Sequence, residues 1–178
     1  MAKHHVRSLY RAGCHDEIWA YMTVASMADE HDMAAWVNKA LSAKATGREY
    51  PFVVVQKDTG EVVGSTRFLD IDNSNQSLEI GSTWLTPAVW RSAVNTECKY
   101  LLFKHCFETL RLLRVQLKTD ARNLRSQRAI ERIGGVREGV LRKHRVLPDG
   151  FVRDSVYFSI VDDEWPNVKQ RLESYLLA

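Results

Sequence analysis

The sequence predicts a mixed α/β fold, and three observations predict it. Up to about residue 45, apolar side chains recur at helical spacing. The period then changes to that of strands, in three consecutive runs separated by short turns. Beyond those runs, helical and extended patterns alternate to the end of the chain.

Leu9-Tyr10-Arg11-Ala12-Gly13 closes a first helical segment, with the glycine in the C-cap role. Asp16 to Tyr21 reads as a short helical turn. Asp29 to Lys44 places Met33, Trp36, Val37, Ala40 and Leu41 at amphipathic spacing, and Gly47 stops it. Phe52 to Lys57 is β-branched and aromatic, and Asp58-Thr59-Gly60 after it is turn chemistry. A second strand covers Glu61 to Ile71. Asn73-Ser74-Asn75 turns the chain into a third, Ser77 to Leu85, which Pro87 ends because it has no N–H to give.

A helix is expected from about Asn95 to Leu112, with Cys98, Leu101, Leu102, Cys106 and Leu110 on its buried stripe. Arg114 to Thr119 alternates as a strand. Asn123 to Ile133 is helical, and Gly134-Gly135 closes it. Strands over Val136–Val146 and Val152–Val161 flank Pro148-Asp149-Gly150, a good hairpin turn. Asp163 to Leu177 forms the last helix, with Pro166 in its first turn, where proline is tolerated. There is no repeat, low-complexity tract or linker, so residues 1–178 read as a single domain.

Hydrophobic residues make up 45% and charged residues 26%, an ordinary globular balance. No apolar run approaches the ~20 residues needed to cross a bilayer, and the start lacks a secretory signal pattern. A cytoplasmic, membrane-free protein is expected. The 3 cysteines, Cys14, Cys98 and Cys106, do not make a disulfide framework, and the 6 histidines show no metal-ligand spacing, so no metal is expected. The net charge of +3 does not by itself imply nucleic acid. Basic residues nevertheless crowd between Arg122 and Arg153. They read either as a solvated surface or as attraction for a polyanion such as coenzyme A or RNA.

The junction between the third strand and the long helix carries the chemistry. A helix start leaves backbone N–H groups unpaired and bears partial positive charge, a seat for phosphate. Asn95 or Thr96 is a natural N-cap there, with Trp90 packed beneath. A plain capped helix is the other reading.

Four segments resemble the GCN5-related N-acetyltransferase superfamily, in the branch that includes ribosomal-protein N-terminal acetyltransferases. They are Asp16 to Met22, Leu78-Glu79-Ile80-Gly81, Asn95-Thr96-Glu97, and Asn123 to Gly134 with Arg137-Glu138-Gly139 beyond it; the resemblance runs from about Tyr10 to Trp165. It implies a central, mostly antiparallel mixed sheet, splayed at the cofactor site and flanked by helices. It also implies acetyl-coenzyme A as co-substrate and an amine acceptor, either a protein N-terminus or a small amine. In such enzymes the pantetheine arm threads the splay. Trp84 and Leu85 would then offer it main-chain groups, and Trp90, Arg91, Ser92, Ala93, Val94, Asn95 and Thr96 would hold the pyrophosphate. Asn123 would bond the arm, and Arg125 or Arg128 would reach a phosphate.

The family's phosphate loop, Gln/Arg-x-x-Gly-x-Gly/Ala, corresponds here to Trp90-Arg91-Ser92-Ala93-Val94-Asn95, with no glycine. Ala93 is therefore expected to raise the cost of the turn. For catalysis Glu79, on the strand beside the splay, is the candidate to hold a water that deprotonates the amine; a strand-surface carboxylate paired with a nearby arginine is its other reading. The tyrosine with which many relatives protonate the thiolate is Ile130 here. Ser126, where the ribosomal branch has a serine, is the candidate donor to the coenzyme A sulfur, with Tyr157 in reserve. A degenerate coenzyme A-binding module and a ribosome- or RNA-binding protein are the rival readings. The family's usual first edge strand has no counterpart before Tyr10. Phe52 to Lys57 then becomes a sheet edge that the N-terminal segment or a homodimer partner is expected to cover.

Overall fold

The computed structural model describes residues 1–177. After a 3₁₀ turn at Lys3–His5, three helices open the chain: α1 (Val6–Gly13), α2 (Asp16–Trp19) and α3 (Glu30–Ala45). Asp29 caps α3 by accepting the Asp32 N–H. The meander follows as β1 (Tyr50–Val55), β2 (Val62–Asp72) and β3 (Ser77–Leu85). Then come α4 (Val94–Lys104), β4 (Arg114–Asp120), α5 (Leu124–Arg132), β5 (Val136–Val146), β6 (Val152–Val161) and α6 (Trp165–Leu177).

The six strands form one sheet in the order β1-β2-β3-β4-β6-β5, antiparallel everywhere except at the β3–β4 junction. Strand alternation sorts the two faces. One face packs Leu78, Ile80, Val115, Leu117, Val156 and Phe158 against Phe103, Ile130, Ile133 and Trp165 from the helices that follow the meander. The other face carries α1 and α3, where Leu9, Met33, Trp36 and Val37 enclose Trp84 and Trp19. Among the described residues no helix is long and apolar enough to cross a membrane.

Three expectations are corrected. The long helix does not run unbroken to Leu112: α4 gives way to a wider π-helical turn at His105–Thr109, where Leu110 N–H reaches back to the His105 carbonyl. Its buried stripe is the expected one only in part: Cys106 is buried and Cys98 and Leu102 are half-buried. Leu101 and Leu110 are 56% and 45% exposed, while Thr96, Lys99 and Phe103 are buried. Strand β1 also starts earlier than expected, at Tyr50, and so includes Pro51. No strand precedes it among the described residues, which leaves β1 at the sheet edge. The Met1 ammonium donates to the Pro51 carbonyl at that edge.

Candidate active site

Strands β3 and β4 pair only over Ser77–Glu79 and Arg114–Gln116. Beyond that they part. β3 stays on β2 as far as Leu85, and β4 stays on β6 as far as Asp120, so a fork opens in the sheet. A bulge sits near the fork's base: the β2–β3 register shifts between Ser65 and Arg67, and Ser82 adopts a φ of 48°.

The fork exposes main chain selectively. Thr86 N–H donates to Val63 on β2, and antiparallel alternation then turns the main chain of Trp84 toward β2 as well. Close packing there agrees, since a Cβ on Gly64 of β2 would lie 2.2 Å from the Trp84 carbonyl. Thr83 and Leu85 therefore face the gap. Of the two residues expected to offer main chain, only Leu85 does so, and its carbonyl already accepts from Trp90 Nε1 at 2.8 Å. The Trp84 ring is core, against Trp19 and Trp36. Those two tryptophans belong to that core, and Tyr21 is half-buried beneath the Arg122 guanidinium.

At the open end of the fork the chain makes a 3₁₀ turn, Pro87–Val89, and enters α4. The N-cap is Ala93, not Asn95 or Thr96, which lie inside the first turn. Ala93 has a φ of −69°, a value any residue adopts, so no glycine is required at that position. The left-handed residue of the loop is Arg91, with a φ of 62°. That conformation costs roughly 1 kcal/mol in a non-glycine residue. Ser92 Oγ accepts the Val94 N–H and donates to the Val89 carbonyl. Among the described residues the N–H groups of Asn95 and Thr96 have no protein acceptor.

Basic groups from α5 converge on this helix start. Arg132 Nη2 donates to Thr96 Oγ1 at 2.7 Å and its guanidinium lies over Tyr175. Arg125 stacks on Trp90 at 3.9 Å. Arg91, Ser92, Ala93, Thr96, Arg132 and Tyr175 line a cleft of about 340 Å³. Of the two arginines that the resemblance implies, Arg125 and Arg128, the second is exposed and has no side-chain partner among the described residues. The arginine that faces α4 is one turn later. Asn123 caps α5 by accepting the Ser126 N–H with Oδ1, leaving its amide NH₂ as donor. Ser126 is half-buried in that first turn.

Glu79 is not a surface carboxylate. It is 1% exposed, and its Oε2 takes both the Lys118 ammonium at 2.8 Å and the Gln116 amide at 3.1 Å. Its Oε1 lies beside Gly81 at the bulge, where a Cβ would approach it to 2.4 Å. One oxygen is anchored and the other faces the fork's base.

Two groups escaped the sequence reading. His144 on β5 meets Ser155 Oγ through Nδ1 at 3.0 Å and the Tyr157 hydroxyl through Nε2 at 3.4 Å. Burial lowers its pKa, and Arg145, Lys118 and Arg153 lower it further, so the imidazole is neutral at pH 7. A cleft of about 740 Å³ runs along Val140–His144. The second is Lys99. It is 5% exposed, and its ammonium donates to Thr83 Oγ1 at 3.1 Å, while Thr83 Oγ1 shares a hydrogen with Thr66. Its position would have been legible from Thr96, Lys99, Phe103 and Cys106, which share one helical face. No group of metal-ligating side chains occurs among the described residues.

A sheet forked beside a helix N-terminus with open N–H groups agrees with a match to the family model "Acetyltransferase (GNAT) domain" over residues 1–136. The chain belongs to the GNAT acetyltransferase family. A Thermus structure (T. thermophilus) named "putative acetyltransferase" is 40% identical with a TM-score of 0.89, covering 99% of this chain and 90% of that one. A GCN5-related N-acetyltransferase from Brucella melitensis is 30% identical with a TM-score of 0.92, over 99% of this chain and 79% of that one. The Bacillus licheniformis protein named "uncharacterized N-acetyltransferase p20" is 26% identical over 84% of this chain and 83% of that protein. Mycobacterium smegmatis RimJ, solved in complex with CoA-disulfide, shares the fold at 22% identity and a TM-score of 0.82, covering 98% of this chain and 86% of its own. The protein is thus an acetyltransferase by family, and GNAT enzymes take the acetyl group from acetyl-coenzyme A.

Proposed function

We propose that this acetyltransferase moves the acetyl group of acetyl-coenzyme A to a primary amine by direct attack, with both substrates held in the fork. The observation that carries the reading is the fork itself, opening onto the free N–H groups of Asn95 and Thr96 with Arg132 alongside. A pyrophosphate fits that end, because backbone donors, helix dipole and a guanidinium converge on one cleft. Thr83 and Leu85 offer the pantetheine arm main-chain groups, and Asn123 offers an amide donor from the other side.

The acceptor enters from the face carrying α1 and α3. There Glu79 Oε1 takes a proton from the amine, directly or through a water. The freed nitrogen attacks the thioester carbonyl, and the oxyanion is met by main-chain N–H near the bulge. The C–S bond then breaks and the thiolate needs a proton. Ser126 offers a hydrogen bond from the first turn of α5.

As acceptor we favour a protein N-terminal α-amine. The support is the likeness to the Bacillus subtilis protein named putative ribosomal N-acetyltransferase YdaF, 30% identical over 62% of this chain and 59% of that protein. We also propose a homodimer paired along β1, where Phe52–Val55 has an unpartnered edge; Pro51 limits pairing to that stretch. Light scattering tests it, and a monodisperse monomer rejects it.

The deciding experiment is a thermal-shift titration with acetyl-coenzyme A, followed by acetylation of peptides with free N-termini. Saturating ligand raises the melting temperature through linkage. No shift at millimolar acetyl-coenzyme A removes the reading.

A further inference from the structure

A lysine rarely occupies a protein interior without a carboxylate, because desolvating its charge is costly. Lys99 does. It projects from α4 to Thr83 on β3, and among the described residues no carboxylate comes within 4 Å of its ammonium. That hydrogen bond is its one partner, and Thr83 is the residue just past the bulge whose main chain faces the gap. An ammonium has three donors, so two remain unspent at the fork's floor. Thr66 holds Thr83 from the neighbouring strand at 2.7 Å, which fixes where the lysine ends.

The reaction of the proposed function leaves a need at that place. When the C–S bond breaks, its electron pair goes to sulfur as a thiolate. Ile130, buried in the core, has no proton to give. A serine hydroxyl is a much weaker acid than a thiol, so Ser126 can pass a proton on but cannot be its source.

We propose that Lys99 is a catalytic residue, whose ammonium on the fork's floor stabilises the departing coenzyme A thiolate and delivers the proton that makes it a thiol. The inference rests on the reading of the fork as the acetyl-coenzyme A site. The step balances: the N–H bond of Lys99 breaks, an S–H bond forms, and Lys99 is left as a neutral amine. It regains a proton from the one that the acceptor amine released. The acidity suits the task. Burial pulls the Lys99 pKa down to about 8, against the upward pull of Cys98, Glu79 and Cys106, the titratable groups that face it. A free thiol titrates near 8.5, so the transfer is close to balanced in energy.

Bound coenzyme A itself reports on this contact, without any acceptor. Thiolate absorbance is titrated against pH for coenzyme A bound to the wild type and to Lys99→Met. At pH 7.5 the wild type is expected to hold about tenfold more thiolate, as for an opposite charge within a few ångströms. Equal thiolate in the two proteins overturns the proposal. If Lys99→Met does not fold, the wild type still decides. The Lys99 side-chain NMR signal, assigned with Lys99→Arg, is titrated with coenzyme A and with desulfo-coenzyme A. Its pKa is expected to rise only with the sulfur present, and identical titrations overturn the idea. Failure of coenzyme A to bind at all is a separate result, which removes the functional reading and this inference with it.

Discussion

Arg132 on the last turn of α5 donates to Thr96 on the first turn of α4, joining two helices across the mouth of the fork. The bond aims a permanent cation at a helix start whose remaining N–H groups are open. Arg132→Ala is therefore expected to weaken acetyl-coenzyme A binding about tenfold, the scale of one charge-assisted hydrogen bond. The loss should appear in the KM for acetyl-coenzyme A with kcat nearly unchanged, because phosphate contacts are alike in ground and transition states. Arg128→Ala should leave both constants as they are. Equal effects from the two substitutions would move the phosphate site off α4.

Gly64 controls the splayed strand from its other side. A Cβ there would meet the Trp84 carbonyl at 2.2 Å and the Leu85 side chain at 2.8 Å. The neighbour is backbone and cannot turn aside. Gly64→Ala is expected to cost roughly 3 kcal/mol, at the upper end for overpacking. Urea denaturation measures this, and an unchanged midpoint would show that β3 moves freely against β2.

Most of the element order was legible, because period changes from helix to strand are strong and the turns carry Gly, Asn, Asp and Pro. The helix start after the third strand was legible from the element order, but its details were not: the N-cap is Ala93, not Asn95 or Thr96, and the main chain of Trp84 turns to β2. Asn123 as a cap of α5 follows from residue type. Lys99 did not emerge, since a hydrophobicity pattern assigns every lysine to the surface and gave its place on the stripe to Leu101. Arg128 and Arg132 lie one turn apart on the same helix, and only tertiary contact with Thr96 separates them. The glycine-free loop looked costly because a motif records residue types, whereas the strain depends on φ, which falls on Arg91 instead of Ala93.

Acid should loosen the acceptor side before the core. Asp120 is 1% exposed; burial raises its pKa, but hydrogen bonds and charge from Arg122 outweigh that, so the net shift is downward from 3.8. A carboxylate lowered on folding contributes stability above its unfolded pKa and loses it as pH falls through the folded value. Wild type is thus expected to exceed Asp120→Asn by roughly 2 kcal/mol at pH 7. The gap should begin to close below pH ~4 and vanish further down. Parallel melting curves at every pH would show that the Asp120–Arg122 pair has no bearing on stability.

Glu79 is the remaining test of the proton path at the amine. Its Oε2 is committed to Lys118 and Gln116, so only Oε1, beside Gly81, can serve the acceptor. With a base in place, the enzyme can draw on the abundant ammonium form. Without one, the rate follows the small fraction of amine already free, which falls tenfold per pH unit below the amine's pKa. Glu79→Gln keeps the shape and an acceptor oxygen but removes the basicity. Its turnover with a peptide acceptor is expected to fall by about 10² near pH 7. The deficit should deepen toward pH 6 and shrink toward pH 9. The substitution also removes the nearer of two carboxylates from Lys118, leaving Asp70 at 3.7 Å, so rates are to be taken well below the variant's own melting temperature. A deficit that is the same at every pH would mean that Glu79 only positions Lys118, and the neutral imidazole of His144 would then be the next base to remove.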